Sequence, residues 1–294
     1  MKKTIQSLVG HAVRNDFIWT ILQGTVVRFS NHAQWRRELS REKPQAPDTA
    51  GDQARILFPD CVVRHGPFRG MKYPHWQSHG SCLVPKLLGS YESELHPVIN
   101  RICNTRYDQV FDIGCAEGYY AVGLAMRMPS AKIFAFDTSV AALALCSQMA
   151  AMNDVADRIL NSSFCDADTL RSVSPGSRGL IISDCEGYEL NLFSEDVVPC
   201  LASHDILIEL HDFMNIEISR TIKNRFAATH TGLTILSIDD NLKAHTYDYP
   251  ELKGMDLPTR RGLLAEWRPC TMEWLFLTPR AAGQTGNAQN AMPA

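Results

Sequence analysis

The sequence predicts an α/β fold built on an open, mostly parallel sheet. A buried strand pattern near residue 110 runs into a loop with glycines at Gly114 and Gly118, and an apolar helix pattern opens at Tyr119. From residue 107 onward, short apolar runs alternate with helical patterns at spacings typical of β-α repeats. Each of the five core runs ends in an acid, which indicates a shared ligand crevice.

The bulk composition is that of an ordinary globular protein. The chain has 294 residues, enough for one large domain or one domain with a smaller appendage, and its formal net charge is −3. No basic patch indicates a nucleic acid or an anionic membrane as partner, and no run of about 18 apolar residues predicts a membrane span. The nine cysteines are scattered without a C-x-x-C pair. They are therefore expected to be small hydrophobes in a reducing cytoplasm.

The patterns divide the chain into four parts. Residues 1–54 are predicted to be a helical appendage followed by a breaker-rich linker. Residues 55–106 are predicted to cover the site and to contain a hairpin at 55–75. The sheet domain is expected at 107–280, and the tail 281–294, rich in Gly, Gln, Asn and Ala, is predicted to be disordered.

Seven strands are expected in the sheet domain, because five core runs are followed by two further strand-like runs. The predicted strands are Val110–Asp112, Lys132–Asp137, Leu160–Asp166, Leu180–Asp184, Ile206–Glu209, Leu233–Ile238 and Met272–Leu277, with helices over Val140–Met152 and Ile216–Phe226.

The acids that end the five core runs are Asp112, Asp137, Asp166, Asp184 and Glu209. In an open parallel sheet, ligands bind outside the carboxyl ends of the strands. One acid at a strand end is ordinarily a loop residue or a helix N-cap. Five at the same edge predict a crevice that favours a ligand with positive charge and hydrogen-bond donors.

S-Adenosylmethionine fits such a crevice, since it carries a sulfonium cation, an ammonium group, a ribose diol and an adenine amine. Asp112 is expected to receive the ammonium group and Asp137 the ribose hydroxyls. Asp166 is expected to accept from the adenine amine, and Asp184 to stand beside the reactive methyl group. The predicted binding residues in and around these positions are Asp112, Gly114, Cys115, Ala116, Glu117, Gly118, Asp137, Thr138, Asp166, Ala167 and Asp184.

A dinucleotide is the competing ligand. The pattern G-x-G-x-x-G would need glycines at 114, 116 and 119, whereas the chain has Gly114, Ala116 and Tyr119. A pyrophosphate would also lie against Glu117 with no compensating cation in the loop. The sequence therefore favours S-adenosylmethionine, and an NAD(P)-dependent oxidoreductase is the less favoured alternative.

Two motifs resemble the FkbM-type methyltransferases. The stretch Asp184-Cys-Glu-Gly-Tyr-Glu189 is similar to that family's Ile-Asp-x-Glu-Gly-x-Glu pattern at the fourth strand, and Glu209-Leu-His211 is similar to its Glu-x-His at the fifth. Residues 88–95 and 111–120 extend the resemblance, which covers roughly 80–278. It implies a Rossmann-like class I methyltransferase fold with seven strands. It also implies methyl transfer to a hydroxyl of a sugar or secondary metabolite.

The segment before the sheet domain is expected to contain a lid. Tyr91 and Glu92 lie within the family-like stretch, and the resemblance implies that they cover and bind the cofactor. His75 and His79, outside that stretch, are expected in a solvated loop.

The catalytic candidates lie at the ends of the fourth and fifth strands. An alcohol that attacks a sulfonium methyl group in line must lose its proton, so a base is needed there. Asp184, Glu186, Glu209 and His211 are the candidates, and His211 has the most suitable unperturbed pKa. A helix-capping role for Glu186 and a structural role for His211 are the alternatives. Glu189 is expected to be an exposed helix residue.

Two further possibilities stay open. Asp184 and Glu186, with Glu209 or His211, could hold Mg²⁺ or Mn²⁺, but the same cluster serves equally well without metal, so no metal ligands are predicted. The chain could also bind S-adenosylmethionine for regulation without catalysis, although the intact acid and histidine set argues against this. The expected partner is a small-molecule or glycan acceptor, and the sequence does not indicate an oligomeric state.

Overall fold

The computed structural model describes residues 49–173 and 178–280, which belong to one compact unit, Gln45–Ala294. The predictions made for residues 1–48 and 281–294 fall outside the described residues.

The described residues form one seven-stranded sheet with the order β3-β2-β1-β4-β5-β7-β6. The first five strands are parallel, and β7 lies antiparallel between β5 and β6. This arrangement is the Rossmann-like class I methyltransferase fold, which confirms the predicted fold class. The strands are β1 (Gln109–Ile113), β2 (Lys132–Phe136), β3 (Ile159–Ser162), β4 (Leu180–Ser183), β5 (Asp205–Leu210), β6 (His230–Leu236) and β7 (Glu273–Pro279).

Helices cover both faces of this sheet, and among the described residues none is long and apolar enough to cross a membrane. They are α1 (Thr49–Leu57), α2 (Leu83–Leu88), α3 (His96–Cys103), α4 (Tyr119–Arg127), α5 (Val140–Met152), α6 (Ala167–Arg171), α7 (Glu189–Leu192), α8 (Glu217–Phe226), α9 (Asp240–Thr246) and α10 (Leu257–Leu264). Short 3₁₀ turns occur at Ser93–Leu95, Ala156–Arg158, Val198–Leu201 and Pro250–Leu252.

Two separate cores result because successive strand residues point to opposite faces. On β1, Val110 belongs to the core that contains buried residues of α1 to α5 and α10, whereas Phe111 belongs to the core that contains residues of α6 to α8. The same alternation divides Leu180 from Ile181 on β4. Both strands are buried on each face, as parallel strands between helical layers are.

The predicted hairpin at residues 55–75 is wrong for its first strand. Ile56 and Leu57 end helix α1 instead. Ala54 and Phe58 are fully buried while Ile56 is exposed, so the burial follows a spacing of four rather than two. Of the hairpin, one antiparallel bridge between Val62 and Lys72 is present.

The loop after β1 is held close to the end of β4. Gly114 has a φ of +84°, and a Cβ at this position would lie 1.8 Å from the backbone oxygen of Asp184. The N–H groups of Gly114 and Cys115 both donate to the carbonyl of Phe136 at the end of β2, at 2.8 and 2.9 Å. The loop therefore closes tightly over the ends of β2 and β4, and only glycine allows this approach.

We expect Gly114→Ala to lower the free energy of unfolding by about 3 kcal/mol or more, because the left-handed φ and the backbone clash add up. Urea unfolding would measure this change. Gly262→Ala is the matched control, since a Cβ there, on the exposed side of α10, meets nothing within 4 Å. It should be neutral or stabilise by up to about 1 kcal/mol. Equal effects of the two substitutions would contradict the close approach.

Candidate active site

The register of the strands brings three of the predicted acids into one row. Ile113 of β1 pairs with Phe136 of β2 and with Ser183 of β4, and Ser183 pairs with Ile208 of β5. The next position along β1 is Gly114. On β2, β4 and β5, the next residues are Asp137, Asp184 and Glu209, in that order. The carboxyl edge of the sheet therefore presents a row of three acids beside the glycine loop.

Asp112 lies two positions below this row and is 2% exposed. Its Oδ2 atom is buried and has no hydrogen-bond partner among the described residues. Burial raises the pKa of Asp112 to about 7; the backbone N–H of Ala121 lowers it and the carboxylate of Asp184 raises it further. A buried carboxylate oxygen without a donor fits an ammonium group, so this position suits the cofactor that the sequence predicts.

Asp137 and Asp166 accept hydrogen bonds from different groups. Asp137 accepts from the backbone N–H groups of Ala116, at 2.9 Å, and Ser139, at 2.7 Å, one on each carboxylate oxygen. Each oxygen keeps acceptor capacity for a ribose hydroxyl. Asp166 caps α6, accepting from the backbone N–H and the hydroxyl of Thr169 at 2.8 and 2.7 Å. These bonds lower the pKa of Asp166.

The remaining predicted cofactor residues surround these acids. Cys115 is buried, and Ala116 has a φ of +47°, which turns its N–H toward Asp137. Thr138 and Ala167 are half-buried and follow Asp137 and Asp166.

Glu117 has the cation that its own loop lacks. Lys86 on α2 donates to Glu117 Oε1 at 2.5 Å, and both side chains are buried. Ser78 donates to the same oxygen at 2.9 Å, and the backbone N–H of His79 donates to Oε2 at 3.1 Å. Burial raises the pKa of Glu117, but the ion pair with Lys86 outweighs it and the pKa is lowered. The expectation of an uncompensated charge is therefore wrong, because the partner comes from the segment before the sheet.

His211 is the centre of the catalytic candidates and is buried among four carboxylates. Its Nδ1 lies 2.5 Å from Glu189 Oε1. Its Nε2 lies 3.3 Å from Asp184 Oδ1, 3.7 Å from Glu186 Oε2 and 3.8 Å from Glu209 Oε2. The structure thus brings all four candidates together. The side chains of Asp184 and Glu186 are 35% and 25% exposed, whereas His211 is 3% exposed.

Glu189 was expected on an exposed surface, and this prediction is wrong: its side chain is fully buried. Helix α7 is only four residues long, and Glu189, its first residue, turns inward. It accepts from the backbone N–H of Gly187 at 3.2 Å as well as contacting His211. The capping alternative for Glu186 is also not found, since Tyr188 is the N-cap residue and α7 has no side-chain cap.

The carboxylates decide the charge of His211. Burial alone lowers its pKa, but hydrogen bonds to Asp184 and Glu189, with the charges of Glu189 and Glu209, raise it well above the usual value. An imidazolium at this position neutralises part of the acidic cluster. Asp184 and Glu186 are the groups of this cluster that a substrate can reach, because their side chains are the most exposed.

Asp184, Glu186 and His211 could also hold a divalent ion. One ligand atom from each lies within 4.8 Å of the other two, and oxygen and imidazole ligands suit Mg²⁺ or Mn²⁺. The contact between His211 and Asp184 already offsets part of the negative charge of this cluster without an ion.

Tyr91 and Glu92, the two residues predicted for the lid, contact the helix that follows the glycine loop. Glu92 is buried and accepts from the hydroxyl of Tyr120 and from Arg268. The ring of Tyr91 packs on Tyr119, with centroids 5.4 Å apart. No sequence pattern points to Arg268, which lies between α10 and β7 outside any motif. Its contact with Glu92 is visible only in the fold.

Comparison with protein families gives one match over this region. Residues 97–184, which include β1, the glycine loop and β4, match the methyltransferase small domain. No curated protein sequence matches the chain.

Solved structures with similar folds include three with different activities. The O-methyltransferase TomG from Streptomyces achromogenes, in complex with SAM, has 11% identity and a TM-score of 0.46 over 84% of this chain and 95% of its own. Spermidine synthase from Thermotoga maritima has 13% identity and a TM-score of 0.44, with coverages of 65% and 62%. An rRNA methylase from Streptococcus thermophilus has 13% identity and a TM-score of 0.42 over 63% of this chain and 96% of its own. At such identities and TM-scores these similarities carry no argument about substrate.

Replacing Asp112 should change how stability depends on pH. Its pKa is 3.8 in an ordinary setting and about 7 here, so the folded state keeps a proton that the unfolded state loses between these values. The wild-type free energy of unfolding should therefore fall across this window. Relative to wild type, Asp112→Asn should gain on the order of a few kcal/mol between about pH 4 and pH 8. Urea unfolding at both pH values measures it; a difference that is independent of pH would contradict the buried, proton-holding Asp112.

Glu189→Gln should change the free energy of unfolding with the opposite pH dependence. The folded pKa of His211 lies above its ordinary 6.5, so its charge stabilises the folded state below that value and the stabilisation is lost as pH rises through the folded pKa. The variant should lose on the order of 2 kcal/mol at about pH 6 and less at about pH 9. Urea unfolding with Glu217→Gln, an exposed helix residue, as the control would measure this. Equal losses at both pH values would show that Glu189 does not support an imidazolium.

Proposed function

We propose that this chain is an S-adenosylmethionine-dependent methyltransferase that methylates a hydroxyl group of a small molecule or glycan. The observation that carries the proposal is the row Asp137, Asp184 and Glu209 beside a glycine loop, with the buried Oδ2 of Asp112 below it. The family match over residues 97–184 supports the methyl-transfer class. The FkbM resemblance of the strand 4 and strand 5 motifs supports the hydroxyl as acceptor.

The cofactor-binding side of this proposal uses Asp112, Asp137 and the glycine loop. S-Adenosylmethionine, when bound, supplies a methyl group on a positively charged sulfur. Asp112 receives the ammonium group, and the gain is large because its Oδ2 is desolvated without a donor. Asp137, fixed by Ala116 and Ser139, accepts from the ribose hydroxyls. Asp166 contributes mainly as the cap of α6, so its contact with adenine would be secondary.

The acceptor side uses the cluster around His211. Asp184 is the proposed proton acceptor, because it is the most exposed of the four carboxylates and its backbone touches the glycine loop. The acceptor oxygen would form its bond to the methyl carbon as the carbon–sulfur bond broke with its electron pair left on sulfur, and Asp184 would take the hydroxyl proton. His211, held at Nδ1 by Glu189, orients Asp184 through Nε2. Proximity and a positioned base together supply the rate.

The cellular setting belongs to the same proposal. All nine cysteines are free, and two of them, Cys200 and Cys270, are exposed. Free exposed thiols favour the reducing cytoplasm. A small-molecule or glycan acceptor there fits a crevice whose accessible groups are carboxylates, since hydroxyl groups donate to them.

Binding of S-adenosylhomocysteine tests the cofactor assignment. Calorimetry should show that the wild-type chain binds it, and that Asp112→Ala and Asp137→Ala each weaken binding by about tenfold or more, as expected when a hydrogen bond to a charged group is lost.

Asp196→Ala is the matched control, because Asp196 is an exposed acid that contacts Arg171 and Ser194, and none of the predicted cofactor residues. It should bind like wild type. Unchanged affinity in both crevice variants would refute the assignment. Binding of NAD(P) with no binding of S-adenosylhomocysteine would favour the oxidoreductase instead.

A further inference from the structure

Arg268 makes ion pairs with three carboxylates from three different parts of the chain. Its Nη2 lies 2.7 Å from Glu92 Oε1, its Nε lies 3.1 Å from Glu266 Oε2, and its Nη1 donates to Glu209 Oε1. The side chain is 14% exposed, so water screens these contacts little. All three nitrogens of the planar guanidinium are therefore in use, a geometry that lysine cannot reproduce.

Glu92 is fixed by these contacts in a strained backbone conformation. Its φ is +46°, which is uncommon for a residue with a side chain. Its backbone N–H donates to Glu266 Oε1 at 3.1 Å, and its carboxylate accepts from Tyr120 and Arg268. Such a conformation persists only when its surroundings hold it. The position of the lid at Glu92 therefore depends on residues 266 and 268.

Glu209 joins this cluster to the candidate catalytic residues. Its Oε1 accepts from Arg268, while its Oε2 lies 3.8 Å from His211 Nε2. A single line of contacts thus runs from Glu92 through Arg268 and Glu209 to His211. The two ends belong to separate parts of the proposed site, the cover of the cofactor and the proton-accepting cluster.

The charges of the cluster explain why this line of contacts depends on Arg268. Glu92, Glu209 and Glu266 face Arg268, and Lys243, also buried, pairs with Glu266. Without Arg268, Glu92 would lose its cation inside the protein, and Glu209 would keep only the longer contact with His211, at 3.8 Å. Leaving a buried charge without its partner is strongly unfavourable, so the segments would separate or take up protons.

We propose that Arg268 is a positioning residue that joins the lid at Glu92 to Glu209 at the end of β5, so that the cofactor cover and the acceptor cluster are assembled together. The proposal rests on the proposed function for its consequence, methyl transfer. The coupling itself is a property of the chain and can be measured without an acceptor.

Amide hydrogen exchange of the full chain, with and without S-adenosylhomocysteine, tests the coupling. Arg268→Gln should speed exchange in residues 89–96 and 206–213, and leave residues 132–136 of β2 unchanged. It should also weaken the binding of S-adenosylhomocysteine by about tenfold, a usual size for coupling between two sites. Arg268→Lys, which keeps the charge, should recover part of both effects.

Glu92→Gln separates the two ends of the line. In that background, Arg268→Gln should add little further exchange at residues 89–96 but should still loosen residues 206–213. Arg158→Gln is the matched control, since Arg158 is a partly buried arginine that donates to the carbonyls of Ala125 and Met128. It should behave like wild type in residues 89–96 and 206–213.

Three results would overturn the proposal: unchanged exchange in Arg268→Gln, faster exchange that includes β2 to the same extent, or no recovery by lysine. If the wild-type chain fails to bind S-adenosylhomocysteine, the proposed function fails. The exchange measurements would still decide whether Arg268 couples the two segments.

Discussion

The site depends on the register of four parallel strands. Because the last residues of β2, β1 and β4 are in register with Ile208 of β5, the chain positions that follow are neighbours whatever lies between them in sequence. The glycine loop then occupies one of these positions, and acids occupy the other three. Gly114 is essential to this arrangement, since any side chain there would displace the backbone of Asp184. A sheet that fixes these positions supplies a preorganised crevice before any ligand arrives.

Concentrating carboxylates at one edge is unfavourable unless cations from elsewhere neutralise them. The cations come from outside the row itself: Lys86 on α2 pairs with Glu117, Arg268 before β7 pairs with Glu209, and His211 after β5 contacts Asp184. Ion pairs thus join the site to two other parts of the chain, the segment before the sheet and the connection that precedes β7. Among the described residues, no cation lies close enough to Asp112 to restore its ordinary pKa, so burial raises this pKa and the position suits a cationic ligand.

The strands and three acids of the row could be predicted, because hydrophobic periodicity and strand-end positions are local properties of the sequence. The third strand was predicted to end at Asp166, but β3 ends at Ser162 and Asp166 caps α6 instead. The burial of Glu189 could not, since a glutamate in a short helix usually faces water and only the contact with His211 brings it inside. Lys86 and Arg268 were missed as partners for a related reason: each lies far in sequence from the carboxylate that it neutralises. Pairings of this kind are set by the packed fold, which the pattern of residue types does not encode locally.

Transfer of a labelled methyl group tests the central claim most directly. Metabolite and glycan extracts would be incubated with labelled S-adenosylmethionine and either the wild-type chain or Asp184→Asn, with and without a chelator. We expect the wild-type chain to label a hydroxyl of a small molecule or glycan, and Asp184→Asn to do so at least about a hundredfold more slowly, the usual contribution of a positioned base. Equal rates for the two proteins, or no transfer by a wild-type chain that binds S-adenosylhomocysteine, would contradict the account.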